Sequence, residues 1–289
     1  MSIMPISSNW RITVQKSTID IFKEHFCYTH ESTKRKIELD KSDIEKEISN
    51  AKFYQDGAKI VRPIVAENQE IPRIEVVDDD CLSYALDLKK KGMNPVVLNM
   101  ANPEVPGYLY GAAAQEENLF RRTNLFQYHD TKWYPLPNAG GIYSPNALVI
   151  KDNEQKEYEL LLNHLSLKTL AALCDPELVR DSEGRETMTP EGKELTRHKI
   201  RAILNIGLDN GHDSIVLSAF GCGAFCNPPA TMAQLFREII TNEYAGGVNL
   251  PKTYRHIGFA IFDDEMSRLL KGDEGNLPPF KKIFDNFIW

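Results

Sequence analysis

Between residues 73 and 260 the chain alternates strongly apolar runs with amphipathic stretches, and that alternation limits the folds open to it. "RIEVV", "NPVVLNM", "ALVI", "DSIVLSAF" and "RHIGFAIFD" read as strands. Among them lie "DDDCLSYALDLKKKG", "AQEENLFRRTNLF", "KELTRHKIRAILNIGLDNG" and "PPATMAQLFREIITNEY", whose apolar residues recur at helical spacing. The first of these helices has acids at its start, lysines at its end and a glycine stop, and the last has proline near its start. Strands this apolar must be covered on both faces. Helices between successive strands supply that cover, so the pattern predicts an α/β fold around a mainly parallel or mixed sheet. In such sheets ligands bind where strands end and loops lead to the next helices. The loops after "VVLNM" and "IVLSAF" are therefore the places to look for chemistry.

The flanking regions are less regular. Residues 12–27 read as a helix through Ile12, Ile19, Phe22 and Phe26, "KRKIELD" as a short strand, and Ser42 to about Lys52 as a charged helix. "YELLLNHLSL" fits a strand or a helix, and "DSEGRETMTPEG" reads as an exposed polar loop. "PPFKKIFDNFIW" reads as a short helix packed by its aromatics. No internal repeat or flexible linker stands out.

The 289 residues carry a net charge of −7, which argues against a nucleic-acid partner needing a basic face. A small anion held by backbone N–H groups remains compatible with that charge. The five cysteines (Cys27, Cys81, Cys174, Cys222, Cys226) are odd in number and scattered, which fits a reducing compartment. "CGAFC" lacks a nearby second Cys/His pair, so no metal is expected. The start lacks the pattern of a signal peptide, and no apolar run reaches membrane-spanning length. The expectation is a cytoplasmic protein with no membrane partner, although a terminal signal read by dedicated secretion machinery would leave no such mark.

Loop one is "ANPEVPGYLYGAAAQEE" and loop two is "AFGCGAFCNPP". Loop one ends on adjacent carboxylates, Glu116 and Glu117, at the start of a helix. Acids in a first turn are ordinary helix chemistry, worth a few tenths of a kcal/mol, and equally suit a carboxylate aimed at a ligand. Gly221 and Gly223 in loop two permit close backbone approach to phosphate oxygens, but many strand–helix turns use glycines only to turn.

Taken together and in order, these segments resemble the poly(ADP-ribose) glycohydrolase (PARG) type of macrodomain, in its microbial branch. "LNMAN" is similar to the family's LNFAN, and "GYLYGAAAQEENLFRRTNLF" to its Gln-Glu-Glu segment. "IYSPNALVI" is similar to its Tyr-Ser-Pro segment, and "IVLSAFGCGAFCNPP" to its second loop. "NWRITVQKSTIDIFKEHFCY" resembles its amino-terminal helix. Loop one departs from the pattern: three consecutive glycines are replaced by "NPEVPGY", which keeps Gly107 and adds Pro106 with no N–H. In loop two, Ser218 and Cys226 stand where the family has a small residue and a glycine.

The resemblance implies a three-layer α/β/α macrodomain with a mixed central sheet. It implies an amino-terminal helical extension over residues 1–70 and one compact unit over 71–289. It makes Glu117 the catalytic residue, with Glu116 holding hydroxyls of the distal ribose, Gln115 supporting them and Asn102 touching the same ribose. Gly107 belongs to the binding loop. Gly221, Cys222, Gly223, Ala224 and Phe225 would line the diphosphate, with Phe225 packed on the sugar. The implied activity is hydrolysis of the glycosidic bond joining ADP-ribose to a protein side chain or to poly(ADP-ribose), and the rewritten loop one tilts the expectation towards removal of single ADP-ribose units. No cofactor is implied, the partners are ADP-ribose and ADP-ribosylated proteins, and a monomer is expected. The rival is a catalytically silent ADP-ribose reader, in which both glutamates serve as hydroxyl ligands. A regulatory domain for another ADP-containing metabolite ranks third.

Overall fold

The computed structural model describes residues 8–30, 33–107, 111–263 and 275–285. Seven strands form the central sheet: β1 (Lys52–Tyr54), β2 (Arg73–Val77), β3 (Pro95–Met100), β4 (Gly141–Lys151), β5 (Leu160–Leu170), β6 (Ser214–Leu217) and β7 (His256–Ala260). Their order across the sheet is β1-β4-β5-β3-β6-β7-β2. From β5 to β2 all neighbours are parallel, whereas β4 is antiparallel to both β1 and β5. The sheet is mixed. One register row runs Ser166, Val96, Ile215, Ile257, Ile74 across five strands.

Alternation of side chains along each strand sorts the apolar residues into two layers. Val96, Leu98, Ile215, Leu217, Ile257 and Phe259 pack on one face. That layer is closed by the helices α5 (Pro190–Asp209), α6 (Pro229–Glu243) and α7 (Leu277–Phe284). Val97, Val216 and Ala260 point the other way, towards α3 (Cys81–Lys90) and α4 (Gln115–Arg122). The three-layer α/β/α arrangement expected from the sequence is the one observed.

Residues before 70 are not helical throughout. They include α1 (Ser8–Asp20) and α2 (Lys41–Ser49), but Cys27–Thr29 and Lys36–Glu38 pair as a small antiparallel ribbon. β1 is the edge strand of the central sheet itself. Helix α1 packs on α4, where the Thr18 hydroxyl donates to the carbonyl of Arg121 and Lys151 Nζ donates to the Val14 carbonyl at 2.9 Å. The helix expected over 12–27 stops at Asp20, continues as a wider turn to His25, and ends with Phe26 at φ 48°.

Two other expectations resolve differently. "YELLLNHLSL" lies in β5, whose second half is buried on both faces; such a strand loses the two-residue alternation that would mark it. "DSEGRETMTPEG" is not all loop, because Glu186–Met188 pairs antiparallel with Leu178–Arg180. The turn between them is held by the Asp181 carboxylate, which accepts from the N–H groups of Glu183 and Arg185, both at 2.9 Å. Every residue of Leu178–Arg180 is exposed, so burial imposes no pattern there. The end of the aromatic carboxyl-terminal stretch, residues 286–289, lies outside the described residues, as do residues 108–110 of loop one.

A buried ion pair joins α3 to α4. Asp80 caps α3 by accepting from the Ser83 N–H at 2.9 Å, and Arg122 donates to its other oxygen at 2.7 Å. Arg122 is 1% exposed and also donates to Asn118 Oδ1 and to the carbonyl of Lys151. Burial alone would raise the Asp80 carboxyl, yet Arg122 and Ser83 hold it below its ordinary value. Breaking such a pair from one side leaves a charge without its partner. Arg122→Ala is therefore expected to cost roughly 3–5 kcal/mol of unfolding free energy, read by urea denaturation. A loss under about 1 kcal/mol would mean that the pair behaves as a solvent-exposed one.

Candidate active site

The carboxyl ends of β3, β5, β6 and β7 open into a cavity of about 410 Å³. Met100, Ala101 and Asn102 line it after β3, Ala172 after β5, Ser218 and Ala219 after β6, and Ile261 and Phe262 after β7. The starts of α3 and α4 complete the wall. This is the place where an open α/β sheet offers a crevice, because its loops diverge there.

Loop two forms one side of the cavity through Gly221, Cys222, Gly223, Ala224 and Phe225. Gly221 has φ +74°, and a Cβ there would stand 2.5 Å from Ala172 Cβ and 2.6 Å from Asn227 Nδ2. Glycine is needed for both conformation and space. At Gly223 a Cβ would meet nothing within 4 Å, so the bare backbone there serves the cavity and not the packing. Among the described residues, the N–H groups of Gly223, Ala224 and Phe225 have no hydrogen-bond partner. Cys222 is fully buried at the cavity wall, with its Sγ 3.7 Å from the Phe220 carbonyl. Phe225 is partly buried, packed against the core beneath and bordering the cavity above. The lining from this stretch ends at Phe225, before α6 begins at Pro229.

Asn227 is the residue that sequence reasoning passed over. Its Nδ2 donates to the carbonyls of Leu173, Gly221 and Phe225 at 2.7, 2.9 and 3.0 Å, stapling the loop from below. Its place directly after the glycine-rich turn is the signal available for it. Asp79 and Asp80 also line the cavity and had been read only as helix-start acids. Phe262, half exposed at the cavity wall, was absorbed into the last strand.

On the opposite side, α4 presents Gln115, Glu116 and Glu117 in its first turn, all in the cavity wall. Gln115 ties the helix to β3: its Oε1 accepts from the Met100 N–H at 2.8 Å and its Nε2 donates to the Leu98 carbonyl at 2.7 Å. Glu116 is 3% exposed and turned towards loop one. Its Oε1 accepts from Asn99 Nδ2 and its Oε2 from the Asn102 N–H, both at 3.1 Å, and the Gly107 N–H also bonds to it. Behind Asn99 the network continues through Thr169 to His129 and Tyr134. Glu117, 5% exposed, borders the same cavity one residue further round the helix. Consecutive helical residues are about 100° apart, which is why one carboxylate can hold the loop while the next faces the cavity.

Asn102 and Gly107 take different places, Asn102 lining the cavity and Gly107 lying outside its lining. The Asn102 side chain accepts from the N–H groups of Glu104 (2.8 Å) and Val105 (3.3 Å), closing a turn within loop one. Gly107 does not line the cavity. It sits at φ +57° against the Phe120 ring, where a Cβ would lie 2.4 Å from the ring carbons. Among the described residues no group of three or more His, Cys, Asp or Glu is disposed to hold a metal ion. Likewise, no helix there is long and apolar enough to cross a membrane.

Burial is the largest influence on Glu116 and raises its carboxyl to about 7, against the opposing N–H donors and with a smaller push from Glu117. A carboxyl raised on folding binds its proton more tightly in the folded state, so stability is greatest below about 4.5 and falls as pH rises towards 7. The change is on the order of 3 kcal/mol at most. Glu116→Gln removes that dependence. Denaturation of the two proteins at pH 5 and pH 8 is expected to show the parent losing stability relative to the variant. Parallel profiles would mean that the N–H donors outweigh burial.

The family model described as microbial-type PARG, catalytic domain, matches residues 15–152. No curated protein sequence matches the chain. Among solved structures, poly(ADP-ribose) glycohydrolase from Thermomonospora curvata is 24% identical with a TM-score of 0.74, covering 96% of this chain and 100% of that one. The same enzyme bound to the inhibitor ADP-HPD gives 0.71 at the same identity and coverage. Poly(ADP-ribose) glycohydrolase from Deinococcus radiodurans in complex with ADP-ribose is 21% identical with a TM-score of 0.66, covering 85% of this chain and 98% of that one. The chain thus resembles the microbial PARG-type macrodomain in sequence across residues 15–152, and in fold across nearly its whole length.

Proposed function

We propose that the cavity binds ADP-ribose and that the protein hydrolyses the glycosidic bond joining it to a protein side chain or to poly(ADP-ribose). In this reading the diphosphate lies along Gly221–Phe225, and the ribose at the reacting end lies against α4. The observation that carries it is the position of Glu117, a carboxylate in the wall of the same cavity as the unpartnered N–H groups of loop two. Backbone N–H groups on a glycine-rich turn suit a diphosphate without any need for net positive charge. The resembling enzymes are described with ADP-ribose or ADP-HPD bound, which supports the same ligand class here.

Hydrolysis at a ribose C1 passes through an oxocarbenium-like state, so the departing oxygen needs a proton and the cation needs a negative neighbour. Glu116 is engaged with Asn99, Asn102 and Gly107. Glu117, which lines the cavity and holds the second acidic position of the Gln-Glu-Glu segment, is the carboxyl assigned to the glycosidic oxygen and then to the incoming water. Glu116 fixes loop one, with its remaining lone pairs available to ribose hydroxyls. The rewritten loop one, with Pro106 and a turn closed by Asn102, favours a single ADP-ribose on a side chain over a poly(ADP-ribose) chain. A silent reader would use the same cavity without turnover.

Calorimetric titration is expected to show ADP-ribose binding well above adenosine, which lacks the charge that loop two would hold. Equal affinities would remove the diphosphate assignment. On mono- and poly-ADP-ribosylated proteins, Glu117→Gln is expected to lower release of ADP-ribose by about 10²–10⁴-fold while leaving binding intact. Full activity in that variant overturns the catalytic role. Binding with no release by the parent protein favours the reader.

A further inference from the structure

Beside loop two, two exposed cysteines lie on neighbouring chain segments. Residues 173–175 leave β5 and run alongside residues 225–227. The Asp175 N–H donates to the Phe225 carbonyl at 3.1 Å, and Asn227 Nδ2 donates to the Leu173 carbonyl at 2.7 Å. One bond is made by backbone and the other by the Asn227 side chain, and together they hold the stretch carrying Cys174 beside the stretch carrying Cys226. A disulfide spans roughly 4.4–6.8 Å between Cα atoms, a range within reach of two segments tied together by such hydrogen bonds. Both residues are exposed, and each lies within electrostatic reach of the other.

The backbone adds a second, independent observation. Cys226 has φ 56°, a left-handed conformation that favours glycine and strains a cysteine. The segment turns here through a residue for which the turn itself has no use. The thiols make only long contacts, Cys174 Sγ to Asp175 Oδ2 at 3.6 Å and Cys226 Sγ to the Ala224 carbonyl at 3.7 Å. Neither is tied into the packing.

We propose that Cys174 and Cys226 form a redox modification site, closing an intramolecular disulfide that pins loop two to the segment following β5. With a peroxide as oxidant, one thiolate attacks a peroxide oxygen and becomes a sulfenic acid, releasing hydroxide. The second thiolate attacks that sulfur, the S–S bond forms and a second hydroxide leaves. Two thiols give up two protons and two electrons, and hydrogen peroxide is reduced to two waters. A dithiol reductant reverses the step. The link sits next to Phe225, so it restrains the residue that borders the cavity, whatever ligand the cavity takes.

The test is to treat the reduced, folded protein with hydrogen peroxide, alkylate the remaining thiols and digest without reduction. Mass spectrometry is expected to show the Cys174 and Cys226 peptides linked, about 2 Da below the sum of the thiol forms. Dithiothreitol should separate them, and Cys174→Ser and Cys226→Ser should each abolish the link. The oxidised parent should also melt a few degrees higher than the reduced one, reversibly, and Cys174→Ser should show no such rise. Both thiols remaining open to alkylation, their conversion to sulfinic acids without a link, or links mainly between molecules would overturn the site. A link that forms without raising the melting temperature would overturn the pinning of loop two.

Discussion

The geometry of this cavity depends on a carboxylate buried where carboxylates are costly. Glu116 stands at the start of α4 and accepts from Asn99, Asn102 and Gly107, so a single side chain holds the strand end, the loop and the helix in one arrangement. Without those donors a buried carboxylate would be several kcal/mol unfavourable; with them it becomes a clamp. Gln115 repeats the device one residue earlier, bonding both neighbours of Asn99 through the backbone of β3. The direction of α4, and so the aim of Glu117, follows from these two side chains.

Support for the clamp comes from layers further out. Asp80 and Arg122 join α3 to α4 on the same side of the sheet. Beyond them α1 rests on α4, with Trp10 against Tyr158 and Arg11 paired to Glu154. Tyr158 in turn accepts from Arg121, which also donates to the carbonyl of Ala112 in loop one. The chain before residue 70 thereby acts on the cavity at second hand, through the helix that carries the glutamates. Loop two is organised separately, by Asn227 from beneath. The two sides of the cavity are thus fixed by different side chains, Gln115 and Glu116 on one and Asn227 on the other.

Much of the fold was legible because burial leaves periodic marks. The strands at the centre of the sheet and the helices covering it were placed from apolar spacing alone, as was the position of the cavity at the strand ends. Where burial imposed no such pattern the reading failed. Leu178–Arg180 is exposed throughout, and the later half of β5 is buried on both faces, so neither alternates. β1 is three residues long and owes its place in the sheet to pairing with β4, a contact that local sequence does not encode.

The sequence by itself determined the layered α/β architecture, the two loops, and the glutamine and glutamates at a helix start. These depend on neighbours within a few residues, and short-range spacing records them. Tertiary structure alone decided that Glu116 is tied to Asn99, Asn102 and Gly107, because those donors are brought up to it from β3 and loop one. It turned Asn102 inward to its own turn, placed Gly107 against Phe120 and made Asn227 the staple of loop two. It also brought the segment of Cys174 beside that of Cys226. Each of these outcomes needs two distant segments to meet, and the physical reason they escape the sequence is that burial and hydrogen bonding are properties of the meeting and not of either segment.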